Sequence, residues 1–381
     1  MRIPKARVWS SGCLALGVLA ATAATASAAP TSPIVGHAYV DGNTPVANTV
    51  AELDRHADGS LTPTPGSPFA AGGAGSGAGL ASQGAIQSAD NGRYLLAVDA
   101  GSNQISVLRV GFNGVPTEVG APVSSGGIDP NSIAVHGNLV YVANSGSPNY
   151  TGFRLTPFGS LLPISNSTVT VASGSALGDV LFNSTGTQLV GTEVTSSEID
   201  SFSVRWDGRL QAAPGSPYAG QGLGQIGAEF NPANPSQLFV SNAHNGTGLG
   251  TVSSYHLGFF GSLIPVSASP FADDQTAPCW VEVSQDGRYL FAVNTGSKNV
   301  SSYSISPFGQ LTLISSFPIN GSTGGDIDAR LSPDGRSLLI VGGKSDVVSA
   351  FAVNGGTLTE YPSSPTPLPA GELAPSGIVV N

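Results

Sequence analysis

Short runs of alternating apolar and polar residues, separated by clusters of glycine, asparagine, aspartate and serine, fill most of this chain. In the clearest unit, residues 278–283 predict a first strand, 288–293 a second, 299–305 a third and 311–317 a fourth. The sequence Ser284-Gln285-Asp286-Gly287 predicts a tight turn between the first two strands. Strands of this length joined by short turns predict one four-stranded antiparallel sheet. Beyond the N-terminal stretch, no window shows the 3.6-residue period of a helix.

The same unit recurs along the chain, and each copy contains a glycine two residues before a leucine or proline. The copies are Gly59-Ser60-Leu61, Gly114-Val115-Pro116, Gly159-Ser160-Leu161, Gly208-Arg209-Leu210, Gly261-Ser262-Leu263, Gly309-Gln310-Leu311 and Gly356-Thr357-Leu358. Their spacing of about 45 to 55 residues is the period of propeller blades. The pattern therefore predicts an all-β fold, a seven-bladed β-propeller of four-stranded antiparallel blades.

The two ends of the chain complement each other. The first copy, which begins near 37–40, lacks a first strand, and residues 376–380 form a spare strand after a complete seventh copy. Joining them closes the ring and leaves no long strand edge exposed. We therefore expect the first blade to be closed by the C-terminal strand, within a single domain of residues 29–381.

Residues 1–28 have the pattern of a signal peptide. Arg2, Lys5 and Arg7 precede the apolar run 13–24, and Ala26-Ser27-Ala28 resembles a cleavage site. The apolar run is too short to span a bilayer, and no later segment is long enough, so we expect no membrane span. The sequence predicts a protein that is secreted, or located in the periplasm or cell envelope, after cleavage.

Charge and cysteine content narrow the possible partners. The formal net charge is −10, and removal of the three N-terminal cations makes it −13. No basic stripe is present to neutralise phosphates, which excludes nucleic acid as a partner. The mature chain keeps one cysteine, Cys279, so no intramolecular disulfide is expected. We expect a monomer stabilised by apolar packing.

Connection lengths differ between the two ends of the predicted ring. The turns between first and second strands and between third and fourth strands are short, and they belong to one end. The longer, variable segments belong to the other end: 70–83, 120–130, 218–227, 242–250, 271–277 and 319–325. Binding residues concentrate on long loops carried by rigid scaffolds, so the long-loop end is the predicted working face, although such loops also serve only to bridge blades.

One position of the first strands, which line the channel of a propeller, carries unusual charges. The copies have Gln87, Ala134, Leu181, Glu229, Glu282 and Arg330 there. Two carboxylates beside a guanidinium acquire separate pKa values, which suits one of them to act as a base. Glu282 as base and Arg330 as oxyanion partner, with Glu229 beside them, are the candidate catalytic residues for lactone hydrolysis. The alternative is a salt bridge that only joins blades.

Other polar residues are candidates for binding a ligand. Asp326 and Asp328 are acidic residues on a loop that enters the seventh blade. Trp280 lies at the start of a first strand. His244, in the longest loop between second and third strands, is the best-placed histidine. Ordinary surface charge and packing are the alternatives. The histidines lack metal-binding spacing and no cofactor motif is present, so neither a metal nor a cofactor is predicted.

The chain resembles the lactonase-type seven-bladed propellers, which include 6-phosphogluconolactonases and carboxymuconate-cyclising enzymes. The resemblance rests on Asp286-Gly287-Arg288-Tyr289-Leu290, on the YVTN-type sequence Tyr141-Val142-Ala143-Asn144 and on the recurrent Gly-x-Leu turns. It covers residues 34–381. The family's usual histidine after a proline corresponds to Pro130-Asn131-Ser132, and its Arg-His pair corresponds to Gly227-Ala228-Glu229. Those histidines therefore have no counterpart in this sequence.

Three functions remain open from the sequence, one of which is a surface protein whose propeller only mediates contacts. The resemblance implies hydrolysis of a small lactone or cyclic ester, whereas the residues themselves also fit a non-catalytic propeller that binds a glycan, a peptide or a cell-envelope partner. The carboxylate–guanidinium position distinguishes hydrolysis from the other functions, because hydrolysis requires those side chains to meet near a water-filled channel mouth.

Overall fold

The computed structural model describes residues 32–369 and 374–381, so the predicted signal peptide lies outside the described residues. Contacts within Ser32–Asn381 form one compact unit. It contains seven antiparallel sheets, which we call blades 1 to 7 in chain order. The predicted all-β seven-bladed propeller is confirmed. The described residues contain no helix with the length and apolar character needed to cross a membrane.

Each blade has four strands, which we call inner, second, third and outer. The inner strands of blades 1 to 7 are Ser376–Val380, Ile86–Ala89, Pro130–His136, Leu177–Phe182, Gln225–Asn231, Pro278–Val283 and Asp326–Leu331. The second strands are Ile34–Asp41, Tyr94–Asp99, Leu139–Asn144, Gln188–Glu193, Asn234–Asn242, Tyr289–Asn294 and Ser337–Gly342.

The outer half of each blade follows the same plan. The third strands are Thr49–His56, Gln104–Val110, Asn149–Leu155, Glu198–Val204, Thr251–Leu257, Asn299–Ile305 and Val347–Asn354. The outer strands are Leu61–Pro63, Pro116–Glu118, Leu161–Pro163, Leu210–Ala212, Leu263–Pro265, Leu311–Pro318 and Thr357–Glu360. Two-residue strands pair with the third strand in six blades: Phe69–Ala70, Val123–Ser124, Val169–Thr170, Tyr218–Ala219, Phe271–Ala272 and Thr366–Pro367. The one short 3₁₀ helix in the described ranges is Phe259–Gly261.

Blade 1 joins the two ends of the chain, as expected. The C-terminal strand pairs antiparallel with Ile34–Asp41, so that Ala38 lies opposite Val380 and Tyr39 opposite Val379. Beyond the strand, the Asn381 N–H donates to the His37 carbonyl at 2.9 Å. Closure by a strand from the other terminus pairs the inner edge of Ile34–Asp41, which would otherwise be open to edge-to-edge association at the seam.

The recurrent glycine turn connects each blade to its predecessor. Gly159 has φ +85°, and a Cβ there would lie 2.8 Å from a ring carbon of Tyr94 in the preceding blade. The Tyr94 hydroxyl donates to the Pro157 carbonyl in the same turn. Tyr39 and Tyr141 donate in the same way to the carbonyls of the next blades' turns. The repeat is therefore required by backbone conformation and by interblade packing together.

Candidate functional site

The predicted equivalence of the inner-strand positions holds in the structure. Glu229 lies opposite Phe239, Glu282 opposite Phe291, and Arg330 is at the matching position of blade 7. Glu282 and Arg330 are the next-to-last residues of their inner strands, and Glu229 is two residues before the end of its strand. All three therefore lie close to the turn into the second strand. We call Glu229, Glu282 and Arg330 the mouth cluster.

The mouth cluster lies at the tight-turn end of the ring, and this differs from the predicted working face. The inner strand of blade 6 begins at Pro278 near the long loops and ends at Val283, directly before the turn at Ser284. Glu282 is four residues along this strand, about 13 Å from its long-loop end at 3.3 Å per residue. Loop length does not locate this cluster, because the position of a side chain along its strand, and not the nearest long loop, decides where it emerges.

Arg330 lies between two carboxylates from the two preceding blades. Its Nη1 is 3.5 Å from Glu282 Oε2 and 4.0 Å from Glu229 Oε2. Glu282 Oε1 accepts a hydrogen bond from the Leu331 N–H at 3.0 Å. Glu282 Oε2 receives no hydrogen bond from the described residues. The side chains of Arg330 and Glu229 remain 23% and 24% exposed, so water reaches the cluster.

The two glutamates are electrostatically different. Burial raises the pKa of Glu229 well above its ordinary value, and the nearby Glu282 carboxylate raises it further. Burial also raises the pKa of Glu282, but Arg330 and the Leu331 N–H act in the opposite direction. The adjacent carboxylates raise the pKa of Arg330, which keeps it charged. Glu282 is therefore the member that ionises first, while Glu229 retains its proton.

Two further acids lie deeper in the channel, where the inner strands bulge. Pairing between inner and second strands is interrupted between Leu177 and Val180 and between Ile327 and Ala329. These interruptions contain Asp179 and Asp328, both almost fully buried. β-Bulges commonly re-aim a side chain in this way. Burial raises the pKa of Asp179 to about 8.

A segment of the connection between blades 1 and 2 crosses the channel above the mouth cluster. We call Ser82–Gly84 the plug. Gln83 donates from its backbone N–H to the Gly178 carbonyl of blade 4 and from its side chain to the Val281 carbonyl of blade 6. The Gly84 N–H donates to Asp328 Oδ2 in blade 7. These contacts span the channel, so the plug closes it on the long-loop side.

The space below the plug forms the candidate site. A cavity of about 140 Å³ is lined by Gln83, Gln87, Asp179, Glu229 and Arg330, among others. A neighbouring cavity of about 340 Å³ shares Gln87 and Arg330 and adds Glu282. It reaches the turns at the tight-turn end, where its lining includes Gln285 and Pro333. A ligand therefore enters from that end.

A larger cleft of about 590 Å³ lies elsewhere on the tight-turn end, between blades 2 and 3. Its titratable lining residues are Asp90 and His136. They form no ion pair with each other. Asp90 pairs with Arg93 at 3.5 Å, but Arg93 is not among the residues that line the cleft. The smaller channel cavities contain the charged groups that hydrolysis needs, so size alone does not identify the site.

The structure places three of the four predicted binding residues away from the mouth cluster. Trp280 is buried, and its indole N–H donates to the Ser82 carbonyl, so it supports the plug. Asp328 is buried, and its carboxylate accepts backbone N–H groups from Gly84 and Ala329. His244 is exposed on the loop beyond Asn242, at the long-loop end.

The fourth predicted binding residue, Asp326, begins the inner strand of blade 7. Its side chain lies outside the described part of the structure. The start of an inner strand is the long-loop end, so its backbone is separated from the mouth by the length of the strand.

Sequence reasoning did not identify Gln83 and Asp179 as site residues. A Cβ at Gly227 would lie 2.3 Å from Gln83 Oε1 and 2.7 Å from the Cys279 carbonyl oxygen, so the close approach of the plug and of blade 6 requires a glycine here. The available signal was the pair of small residues Gly227 and Ala228 in an inner strand, which indicates that another group approaches closely. The sequence around Gly227 does not indicate that the approaching group is Gln83, which is far away along the chain.

Comparisons with known proteins agree with this architecture. Residues 37–178 and 251–369 match the family described as Lactonase, 7-bladed beta-propeller. No curated protein sequence matches the chain significantly.

Similar solved structures include a candidate 6-phosphogluconolactonase from Bacteroides uniformis, with a TM-score of 0.73, 17% identity, and coverage of 91% of this chain and 99% of that one. A protein from Lactobacillus plantarum has a TM-score of 0.72 and 17% identity, with 91% and 99% coverage. The periplasmic gluconolactonase PpgL of Pseudomonas aeruginosa has a TM-score of 0.70 and 18% identity, with 91% and 98% coverage. At these identities the likeness concerns the fold.

The family match covers more than half of the chain, and the seven closed blades agree with it. This protein belongs to the lactonase family of seven-bladed β-propellers.

Proposed function

We propose that the protein hydrolyses a small unphosphorylated lactone in the channel cavity at the tight-turn end. The observation that carries the proposal is the mouth cluster, in which Arg330 lies 3.5 Å from Glu282 and 4.0 Å from Glu229. An ionised base, a protonated acid and a fixed cation beside a water-accessible cavity are the groups that ester hydrolysis requires.

Each group has a defined role in the proposed reaction. Glu282 accepts a proton from water, and the resulting hydroxide forms a bond to the lactone carbonyl carbon. Arg330 stabilises the negative charge that develops on the carbonyl oxygen. The ring C–O bond then breaks, and Glu229 gives its proton to the departing oxygen. Proton transfer from Glu282 to Glu229 restores the starting state, and one water has been consumed.

The charge of the channel supports an unphosphorylated substrate. Arg330 is the one cationic side chain among the described cavity-lining residues, and both neighbouring glutamates compete for it. With Glu282 ionised, the cluster is already neutral overall, so an added phosphate dianion finds no unpaired cation. A neutral sugar lactone brings no charge into the cavity and so avoids the cost of desolvating an unpaired anion.

An exported protein would meet such a substrate outside the cytoplasm. The predicted signal peptide supports this location, and the similar gluconolactonase from Pseudomonas aeruginosa is named as periplasmic. We therefore propose that the protein acts after secretion or export to the periplasm.

The test is a panel of sugar lactones, with and without phosphate, assayed by acid release in a pH-stat against buffer blanks. We expect hydrolysis of an unphosphorylated lactone, and Glu282→Gln to lower kcat by about 10² to 10⁴. Glu118→Gln is the matched control, because Glu118 is an exposed glutamate on the outer strand of blade 2.

Two results would contradict the proposal. The first is release of acid by the unaltered protein at the rate of the blank with every lactone tested. The second is equal kcat for the unaltered protein and Glu282→Gln, both folded by circular dichroism, which would leave the mouth cluster as a salt bridge that only joins blades.

A further inference from the structure

A second cluster of ionisable side chains lies on blade 1, away from the channel. His37 on the second strand lies opposite Asp54 on the third strand, and Tyr39 lies opposite Glu52. Because alternate residues of a strand share a face, His37, Glu52 and Asp54 project from the same side of the blade. We call these three residues the blade-1 cluster.

The distances within the blade-1 cluster match those around a metal ion. His37 Nδ1 is 3.0 Å from Glu52 Oε1 and 3.1 Å from Asp54 Oδ1. Ligand atoms about 2.1 Å from a metal lie about 3.0 Å apart in an octahedron and about 3.4 Å apart in a tetrahedron. One atom from each of the three residues lies within 4.8 Å of the others. The three side chains therefore lie close enough together for one ion to contact all of them.

The blade-1 cluster has two carboxylates but only one side chain that can carry a positive charge. Glu52 is 0% exposed, and among the described residues only the His37 imidazole lies within hydrogen-bond distance of its carboxylate oxygens. Asp54 accepts one from the Thr64 hydroxyl at 2.9 Å. Within ion-pair distance, the described residues supply only His37 as a cation, so two carboxylates share at most one positive charge. A divalent cation would balance both.

The neighbouring blade packs closely against the blade-1 cluster, and one side chain of the cluster reaches solvent. The facing turn of blade 2 carries Gly114, where a Cβ would lie 2.4 Å from Glu52 Oε1 and 2.4 Å from His37 Cε1. No other residue type fits at that position. The His37 side chain is 17% exposed, which connects the cluster to solvent.

We propose that His37 Nδ1 and the carboxylates of Glu52 and Asp54 bind one divalent transition-metal ion of the Zn²⁺ class. An imidazole nitrogen with two carboxylate oxygens favours first-row metals of this kind, whereas calcium prefers oxygen ligands alone. The ion links the second and third strands of the blade that joins the two termini, so its role is structural. The sequence contained no metal-binding spacing because the ligands come from two strands and meet only through their pairing.

Zinc titration of the chelator-stripped protein tests the site. We expect one Zn²⁺ per chain by calorimetry, and a rise in Tm of about 4 °C when free zinc exceeds Kd a hundredfold. Glu52→Gln and His37→Gln should each weaken binding by at least about a hundredfold, more than the loss of an outer-shell partner typically costs. His256→Gln is the matched control, because the described neighbours of His256 include no carboxylate at ion-pair distance.

Crystals of the unaltered protein soaked in zinc provide a test that does not depend on the variants folding. We expect an anomalous peak about 2.1 Å from His37 Nδ1. A peak only at other histidines, or zinc affinity unchanged in Glu52→Gln and His37→Gln, would overturn the proposal. Failure to bind one equivalent of zinc would also overturn it, and none of these outcomes depends on lactone hydrolysis.

Discussion

Replacing Asp179 by asparagine should change how the stability of the protein depends on pH. Asp179 is 3% exposed in the inner-strand bulge of blade 4. Its Oδ1 accepts from the Ser132 hydroxyl at 3.1 Å and its Oδ2 from the Ala228 N–H at 3.0 Å. An asparagine still accepts the hydrogen bond from the Ala228 N–H. Its amide N–H then donates to the Ser132 hydroxyl, which reverses the direction of that hydrogen bond.

The magnitude follows from the pKa. Burial raises the pKa of Asp179 to about 8 in the folded protein, against 3.8 for an exposed aspartate. Between these values the folded state holds a proton that the unfolded chain has released, so the free energy of unfolding falls as pH rises. One pKa unit corresponds to about 1.4 kcal/mol, and ionisation near pH 8 limits the fall from pH 6 to pH 8 to about 2 kcal/mol.

Urea unfolding at pH 6 and pH 8 measures this fall. Asp179→Asn should lose about 2 kcal/mol less than the unaltered protein over that interval. Asp99→Asn is the matched control, because burial raises the pKa of Asp99 only to about 6 and its effect lies mainly below pH 6. Equal falls for the unaltered protein and Asp179→Asn would show that Asp179 is already ionised at pH 6 and would refute the reasoning.

Two further predictions concern the channel. Gly227→Ala should destabilise the protein by about 1 to 3 kcal/mol in urea unfolding, because its Cβ would lie 2.7 Å from the backbone carbonyl oxygen of Cys279 and 2.3 Å from Gln83 Oε1. An unchanged midpoint would exclude this close approach of Gly227 to blade 6 and to the plug. If the proposed hydrolysis occurs, kcat should fall at low pH as Glu282 is protonated, with a midpoint above the ordinary glutamate pKa, and fall again at high pH as Glu229 loses its proton. A pH-stat profile with only one limb would contradict the separate roles of the two glutamates.

Much of the architecture was predictable because it depends on local periodicity. Alternation predicted the strands, and the recurrent glycine turns set the blade period. A single spare strand at 376–380 was enough to predict closure with the N-terminal strand. Alignment of the repeats also placed Glu229, Glu282 and Arg330 at one structural level, since equivalent positions in equivalent strands occupy equivalent places.

The site itself needed the tertiary structure. Whether the channel is open or closed at each end depends on Ser82–Gly84, whose partners lie on blades 3, 4, 6 and 7. Nothing local predicts those contacts, so the sequence does not show which end of the channel they close. Bulges decided that Asp179 points into the channel, and a bulge depends on the pairing of two strands.

The sequence alone therefore determined the number of blades, their strand order and the residues that share a level, because each follows from a repeat or from a turn. The tertiary structure decided which end is open and which carboxylates are desolvated. It also brought His37 to Glu52 and Asp54. These properties depend on distances and burial between residues far apart in the chain, and electrostatics acts through space rather than along the backbone.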